Sequence, residues 1–222
     1  MLDPLTPTVA AFDLDGTLTE GGSVFPWLRH LSGSPALFRA ASALAVPLLV
    51  GAVRSGASAD AAKERLFRTL LAGRDYEDVR EVSRHFVLEH LAQKARPYTL
   101  ARLNWHLEKG HHVVIVSASP QLYVDVVAQS LDVEGAVGTR LAVDPLGKLT
   151  GGYLGKNCRG SEKMRRLSEW IDERDYASEP QIYAYGNSRG DKRMLSGATF
   201  PFNAGRMGVL GALRRFPRLP RE

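Results

Sequence analysis

A chain of 222 residues is long enough for one large domain, or for a core carrying a smaller insertion. With 44% hydrophobic and 24% charged residues it has the composition of an ordinary soluble globular protein. The net charge of +5 is concentrated in residues 203 to 222, where five arginines face one glutamate for a local +4. The near-neutral remainder excludes a general nucleic-acid-binding face.

Met1 to Pro7 carries Asp3 and two prolines where a secretory leader would be basic, and Cys158 is the single cysteine. A cytoplasmic protein without disulfides is therefore expected. The first strand is predicted over Thr8 to Phe12, a short apolar run without clean alternation, as in a strand covered on both faces. It runs directly into Asp13-Leu14-Asp15-Gly16-Thr17. Two ionised carboxylates at the end of a buried strand are costly unless a metal, a lysine or a substrate offsets them.

Residues 20 to 95 read as helical throughout, an insertion that would form a cap over the carboxylates and exclude water. Ala61 to Leu71 and Tyr76 to Lys94 are amphipathic, with Val79, Val82, Phe86, Leu88 and Leu91 as an approximate apolar stripe. Ala40 to Val53 holds no charged residue, but its 14 residues fall short of the roughly 20 needed to span a bilayer. It reads as a buried cap helix, with a peripheral membrane contact as the alternative. His85 and His90 fall on the cap helix, and His111-His112 reads as a solvated turn.

Beyond the cap, His112 to Val116 is a strand ending at Ser117-Ala118, and Gln121 to Leu131 is a helix. Val137 to Val143 and Lys148 to Leu154, joined by Asp144-Pro145-Leu146-Gly147, read as a β-hairpin appended to the main sheet. Lys163 stands in the first turn of a helix over Ser161 to Glu173, after a buried Cys158. A third strand, Gln181 to Tyr185, leads into Gly186-Asn187-Ser188-Arg189-Gly190-Asp191, and a fourth covers Ala198 to Phe202. The basic segment 206 to 222 reads as a solvated tail, or as a weak contact with anionic lipid.

Alternating strands and helices predict an α/β fold, with a Rossmann-like parallel sheet wrapped by helices. The proposed division is a core of 1 to 19 and 96 to 205, a cap of 20 to 95 and a tail. In such sheets functional groups gather at the carboxyl ends of the strands. Singly, the polar residues there are ordinary caps and surface groups. Together an aspartate pair, a serine, a lysine and an amide or carboxylate suit phosphoryl transfer, with a hard cation such as Mg²⁺ held by oxygen ligands.

Asp13-Leu14-Asp15-Gly16-Thr17, Ser117, Lys163 and Gly186-Asn187-Ser188 to Asp191 resemble, in order and spacing, the four motifs of the haloacid dehalogenase (HAD) superfamily of phosphatases. The helical insertion resembles that of the branch containing phosphoserine phosphatase. The resemblance implies Asp13 as the nucleophile that forms an aspartyl phosphate, and Asp15 as general acid and base. Lys163 would orient Asp13, Ser117, Ala118 and Lys163 would hold the phosphate, and Asp13, Asp15, Asn187 and Asp191 would surround Mg²⁺. Asn187 stands where the family usually has aspartate. Ser117-Ala118-Ser119-Pro120-Gln121 lacks the glycine pair of phosphoserine phosphatase and is loosely similar to phosphatidylglycerophosphatase C. The implied substrate is a small or lipid-headgroup phosphomonoester, with phosphotransfer to another acceptor or a weakly active phosphate- or lipid-binding relative as alternatives.

Overall fold

The computed structural model describes residues 6–43, 56–206 and 211–220. Most of the apolar run Ala40 to Val53 therefore lies outside the described residues, as do Val209 and Leu210 of the C-terminal segment. Five parallel strands form the central sheet in the order β3-β2-β1-β6-β7. They are β1 (Thr8–Phe12), β2 (His112–Pro120), β3 (Gly135–Thr139), β6 (Gln181–Gly186) and β7 (Phe200–Asn203). Alternate residues of β1 serve opposite cores: Ala10 and Phe12 pack on one face, Val9 and Ala11 on the other. The apolar runs lack alternation because both faces are buried.

Helices α1 (Val24–Ser32), α2 (Ser34–Ala43), α3 (Gly56–Leu71) and α4 (Tyr76–Lys94) lie between β1 and β2 and make the helical cap. Helix α4 starts where Asp75 accepts hydrogen bonds from the Glu77 and Asp78 amides, satisfying first-turn donors that would otherwise be orphaned. Its buried face is Val79, Ser83, Phe86, Val87 and His90. Val82 and Leu88 point outward instead, because the packed stripe follows the helical period through the small and polar Ser83 and His90. Helices α5 (Pro97–Glu108), α6 (Gln121–Ser130), α7 (Ser161–Asp172) and the short α8 (Lys192–Ser196) complete the layers around the sheet. Among the described residues no helix is long and apolar enough to cross a membrane.

Three expectations change. The run Val137 to Val143 is not one arm of a hairpin: Val137 to Thr139 belongs to β3, the edge strand paired with β2. The hairpin is only β4 (Leu141–Val143) with β5 (Leu149–Tyr153), closed by Asp144, whose carboxylate accepts from the Leu146 and Lys148 amides. It lies against α3, with Phe67 and Tyr153 edge to face. His111-His112 is no solvated turn. His111 Nδ1 lies 2.7 Å from His106 Nδ1, and His112 pairs with Glu134 at 2.8 Å.

The C-terminal segment is not a solvated tail either. Leu213 and Leu219 are buried in the two cores, and Asn203 bonds through its backbone to Pro217 and Leu219. Leu213 and Leu219 face inward between the arginines of this segment, which net charge alone conceals.

Candidate active site

Each reactive group sits at the carboxyl end of a central strand or in the first turn of a helix. Strand β1 delivers Asp13, whose amide continues the ladder to the Tyr185 carbonyl at 2.9 Å. The chain then turns: the Thr17, Leu18 and Thr19 amides all converge on the Leu14 carbonyl. Gly16 makes the turn possible with φ of +85°, and a Cβ there would stand 1.9 Å from Asn187 Nδ2. Only glycine lets the two loops meet.

Asp13, Lys163 and Asp191 form a chain of charges closed off from water, each less than a tenth exposed. Lys163 Nζ donates to Asp13 Oδ1 and to Asp191 Oδ1, both at 2.6 Å. Thr17 Oγ1 donates to Asp13 Oδ2 at 2.9 Å. Asp191 Oδ2 accepts from the Asn187 and Ser188 amides and from the Ser188 hydroxyl, at 2.9 to 3.1 Å. Burial and the Asp191 charge push the Asp13 carboxyl up to about 7 against the pull of Lys163. Burial opposes ionisation of Asp191 as well, but Lys163 and the Ser188 donors outweigh it and hold the group below its ordinary range. Lys163 is likewise desolvated, yet its two carboxylates raise it, so it stays charged.

Asp15 is held differently. Ser23 N–H donates to its Oδ1 at 2.7 Å, and Ser119 Oγ donates to its Oδ2 at 2.8 Å. Ser117 is buried, and its hydroxyl accepts from the Ser119 amide at 3.0 Å, which fixes the loop that follows β2. Ala118 turns its carbonyl toward Lys63 Nζ on α3, at 2.6 Å. The structure thus brings Asp13, Lys163 and Asp191 into direct contact, and joins Asp15 to the serine loop rather than to that triad.

Sequence reading quoted Thr17 and Ser119 without giving them a role, and it missed Ser23, Lys63, Arg96 and Thr99. The last two carry the Asp13–Thr17 loop from below. Arg96 donates to the Gly16 carbonyl and to the Tyr98 hydroxyl, and Thr99 donates to the Thr17 carbonyl at 2.7 Å. A Pro-led helix start at Arg96-Pro97 was the one available signal. A cavity of about 490 Å³ opens beside the turn, lined in part by Asp15, Gly16, Arg96, Asn187, Arg206 and Leu213. The C-terminal segment therefore forms part of the wall of the site.

The donors present suit a hard cation. Among the described residues Asn187 Oδ1 is buried with no hydrogen-bond partner, and the Asn187 amide packs directly against Gly16 of the aspartate loop. An orphaned buried oxygen is costly, and a cation would satisfy it. Among the described residues no three His, Cys, Asp or Glu side chains gather as a metal nest. A cation here would depend on the amide oxygen of Asn187 and a backbone carbonyl as well as on Asp13. That set is all oxygen, as Mg²⁺ prefers.

Residues 10–196 match the family model of the haloacid dehalogenase-like hydrolases. Over 194 residues the chain is 34% identical to protein CicA of Caulobacter vibrioides, covering 86% of this chain and 82% of that one. It is 24% identical over 189 residues to a histidinol-phosphatase of Neisseria meningitidis, covering 84% and 85% of the two chains. A crystal structure of a protein of unknown function from Bordetella pertussis Tohama I superposes with a TM-score of 0.79 at 22% identity, covering 97% and 99%. A phospho-aspartyl intermediate analogue of phosphoserine phosphatase superposes at 0.59 and 17% identity, covering 89% and 86%. The chain belongs to the haloacid dehalogenase-like hydrolase family.

Proposed function

We propose that this family member hydrolyses phosphomonoesters in two steps through Asp13, with Asp15 moving the proton. The observation that carries the reading is the Asp13 carboxylate fixed between Lys163 Nζ and Thr17 Oγ1 at the end of β1. An oxygen so placed attacks phosphorus, forming the Asp13 O–P bond as the ester P–O bond breaks. Asp15 gives its proton to the departing alcohol oxygen. In the second step Asp15 takes a proton from water, whose oxygen displaces Asp13 from phosphorus and releases inorganic phosphate. Lys163 offsets the charge on Asp13 and Asp191, and Ser117 with the Ala118 loop offers donors for the phosphoryl oxygens.

Asp13, the Asp15 carbonyl and Asn187 would hold Mg²⁺, with Asp191 fixing Lys163 and the loop that carries Asn187. When bound, the cation neutralises charge on the phosphoryl group. An amide in place of a carboxylate removes one negative charge from the set, so metal affinity is expected to be modest.

As substrate we favour a lipid-headgroup phosphomonoester resembling phosphatidylglycerophosphate over phosphoserine. The support is Ala118-Ser119 directly after Ser117, where phosphoserine phosphatase carries a glycine pair, together with the Ser119-Pro120-Gln121 segment that follows. The cap, proposed as 20 to 95, would supply selectivity, and its apolar run or the C-terminal arginines would provide any peripheral membrane contact. The test is turnover of p-nitrophenyl phosphate with Mg²⁺, followed by a panel of soluble and lipid phosphomonoesters. Detectable hydrolysis that disappears in Asp13→Asn is expected. Absence of turnover in the wild type, with or without Asn187→Asp, contradicts the reading.

A further inference from the structure

One turn of the cap helix α3 places Asp60, Lys63 and Glu64 on the same side, and each reaches a different segment of the core or hairpin. Asp60 Oδ1 accepts from Asn157 Nδ2 at 2.7 Å. Glu64 Oε1 accepts from the Tyr153 amide at 3.0 Å. Lys63 Nζ donates to the Ala118 carbonyl at 2.6 Å, an oxygen that also accepts from Thr139 Oγ1 at 2.8 Å. Asp60 and Glu64 grip the outer frame. Of these three helix residues, Lys63 is the one whose hydrogen bond reaches the loop between Ser117 and Ser119.

That contact is an unusual use of an ammonium. Among the described residues Lys63 forms no ion pair, and burial lowers it to about 8, against the raising pull of Asp15 and Asp60. Its nitrogen lies 5.6 Å from the centre of the Phe67 ring, and its hydrogen bond goes to a main-chain carbonyl, which contributes little to stability against the cost of desolvating the cation. Its place in the chain of contacts gives it a use. The residue after Ala118 is Ser119, buried, with its hydroxyl on Asp15 Oδ2. The opposite oxygen of Asp15 takes the amide of Ser23, just ahead of α1 in the cap. Both lone-pair sides of the carboxylate are thus governed by the cap, one directly and one through Lys63.

We propose that Lys63 is a positioning residue for Asp15: by anchoring Ala118 it fixes the Ser119 hydroxyl that aims the acid at the leaving oxygen. The proton that Asp15 gives to the departing oxygen, as the Asp13 O–P bond forms and the ester P–O bond breaks, is delivered only when the cap is seated. This rests on the role given to Asp15 in the proposed function. A group that matters for leaving-group protonation matters most when the leaving group is a poor one.

The test compares phenyl phosphate with p-nitrophenyl phosphate, which have nearly the same shape but leaving groups of different basicity. The full chain is assayed with Mg²⁺ as wild type, Lys63→Met, Lys63→Arg and Ser119→Ala, alongside thermal denaturation of each. In Lys63→Met, kcat/KM for phenyl phosphate is expected to fall ~100-fold while that for p-nitrophenyl phosphate falls less than ~10-fold. Ser119→Ala should show the same selective loss, and the double variant should be no worse than the more damaged single one. Lys63→Arg, which keeps a donor, should recover part of the loss. Equal losses on both substrates, or a rise in KM alone, overturn the proposal while leaving the phosphatase reading intact. No turnover of either substrate by wild type removes both.

Discussion

The two aspartates of the first loop stand two residues apart and are held by opposite means. Asp13 is fixed by charge: Lys163 and Asp191 surround it in a region less than a tenth exposed. Asp15 is fixed by neutral donors, one amide from the edge of the cap and one hydroxyl from the core loop. Charge in a buried place is expensive and forces residue types, because a lone lysine or a lone carboxylate there is hardly tolerated. Neutral hydrogen bonds at a seam are cheap, and they can be broken when the seam opens. Asp13 thus belongs to the core, whereas Asp15 belongs to the join between cap and core.

The most drastic way to break this contrast is Lys163→Met. It leaves two buried carboxylates facing each other and should cost about 3–5 kcal/mol in urea unfolding at pH 8. The loss should shrink as pH falls, because Asp13 already titrates near 7 and protonation relieves the repulsion. A variant as stable as wild type at pH 8 would show that the triad is not a charge cluster at all. Lys63→Met, at the seam, should by contrast cost ~1 kcal/mol or less.

Next in size is Leu213→Ala, which asks whether the core region extends into the C-terminal segment. A fully buried leucine should cost about 2–4 kcal/mol, measured by the denaturant midpoint. A change within ~0.5 kcal/mol would restore the solvated tail of the sequence reading.

Magnesium sharpens the comparison from the side of the nucleophile. The folded chain raises Asp13 from its ordinary 3.8 to about 7, so it binds that proton more tightly than the unfolded chain does. The sign follows: the stability linked to this group is fully present below about 4 and is lost as pH rises through about 7. A cation takes over the proton's task only where the carboxylate is ionised. Adding Mg²⁺ should therefore raise the melting temperature by more at pH 8 than at pH 6. An equal shift at both pH values would place the cation away from Asp13.

The smallest expected effect comes from Asn187→Asp. Restoring a carboxylate beside Gly16 should tighten Mg²⁺ binding about tenfold, followed by titration calorimetry. Unchanged affinity would show that the orphaned oxygen of Asn187 faces something other than the metal.

The same contrast explains what could be read in the sequence. Asp13, Lys163 and Asp191 were legible because a buried acid demands a base, and because short apolar runs placed Asp13 and Asp191 after strands while Lys163 opened a helix. Ser119 and Ser23 were not. A serine after a strand or before a helix is ordinarily a cap, and nothing local tells which carboxylate it meets. Lys63 looked like any solvated lysine of an amphipathic helix, since its partner is a backbone oxygen 55 residues away. The edge strand β3 was merged with the hairpin because Gly138 and Thr139 do not interrupt an apolar run that in fact changes sheets at Arg140. His106 was passed over, although its buried ring lies under the site with Nε2 2.8 Å from the Tyr185 hydroxyl. Burial depresses its basicity to about 3, so it stays neutral, and its two ring nitrogens are taken up by His111 and Tyr185.

The central claim is that Asp13 takes the phosphoryl group onto its own oxygen. Incubating the full chain with Mg²⁺ and beryllofluoride, or with a phosphoryl donor under rapid acid quench, and mapping the adduct by mass spectrometry tests it most directly. A modification confined to Asp13, absent from Asp13→Asn and prolonged in Asp15→Asn, is the predicted result. A folded, phosphate-releasing enzyme that never labels at Asp13, or labels at another residue, would contradict it.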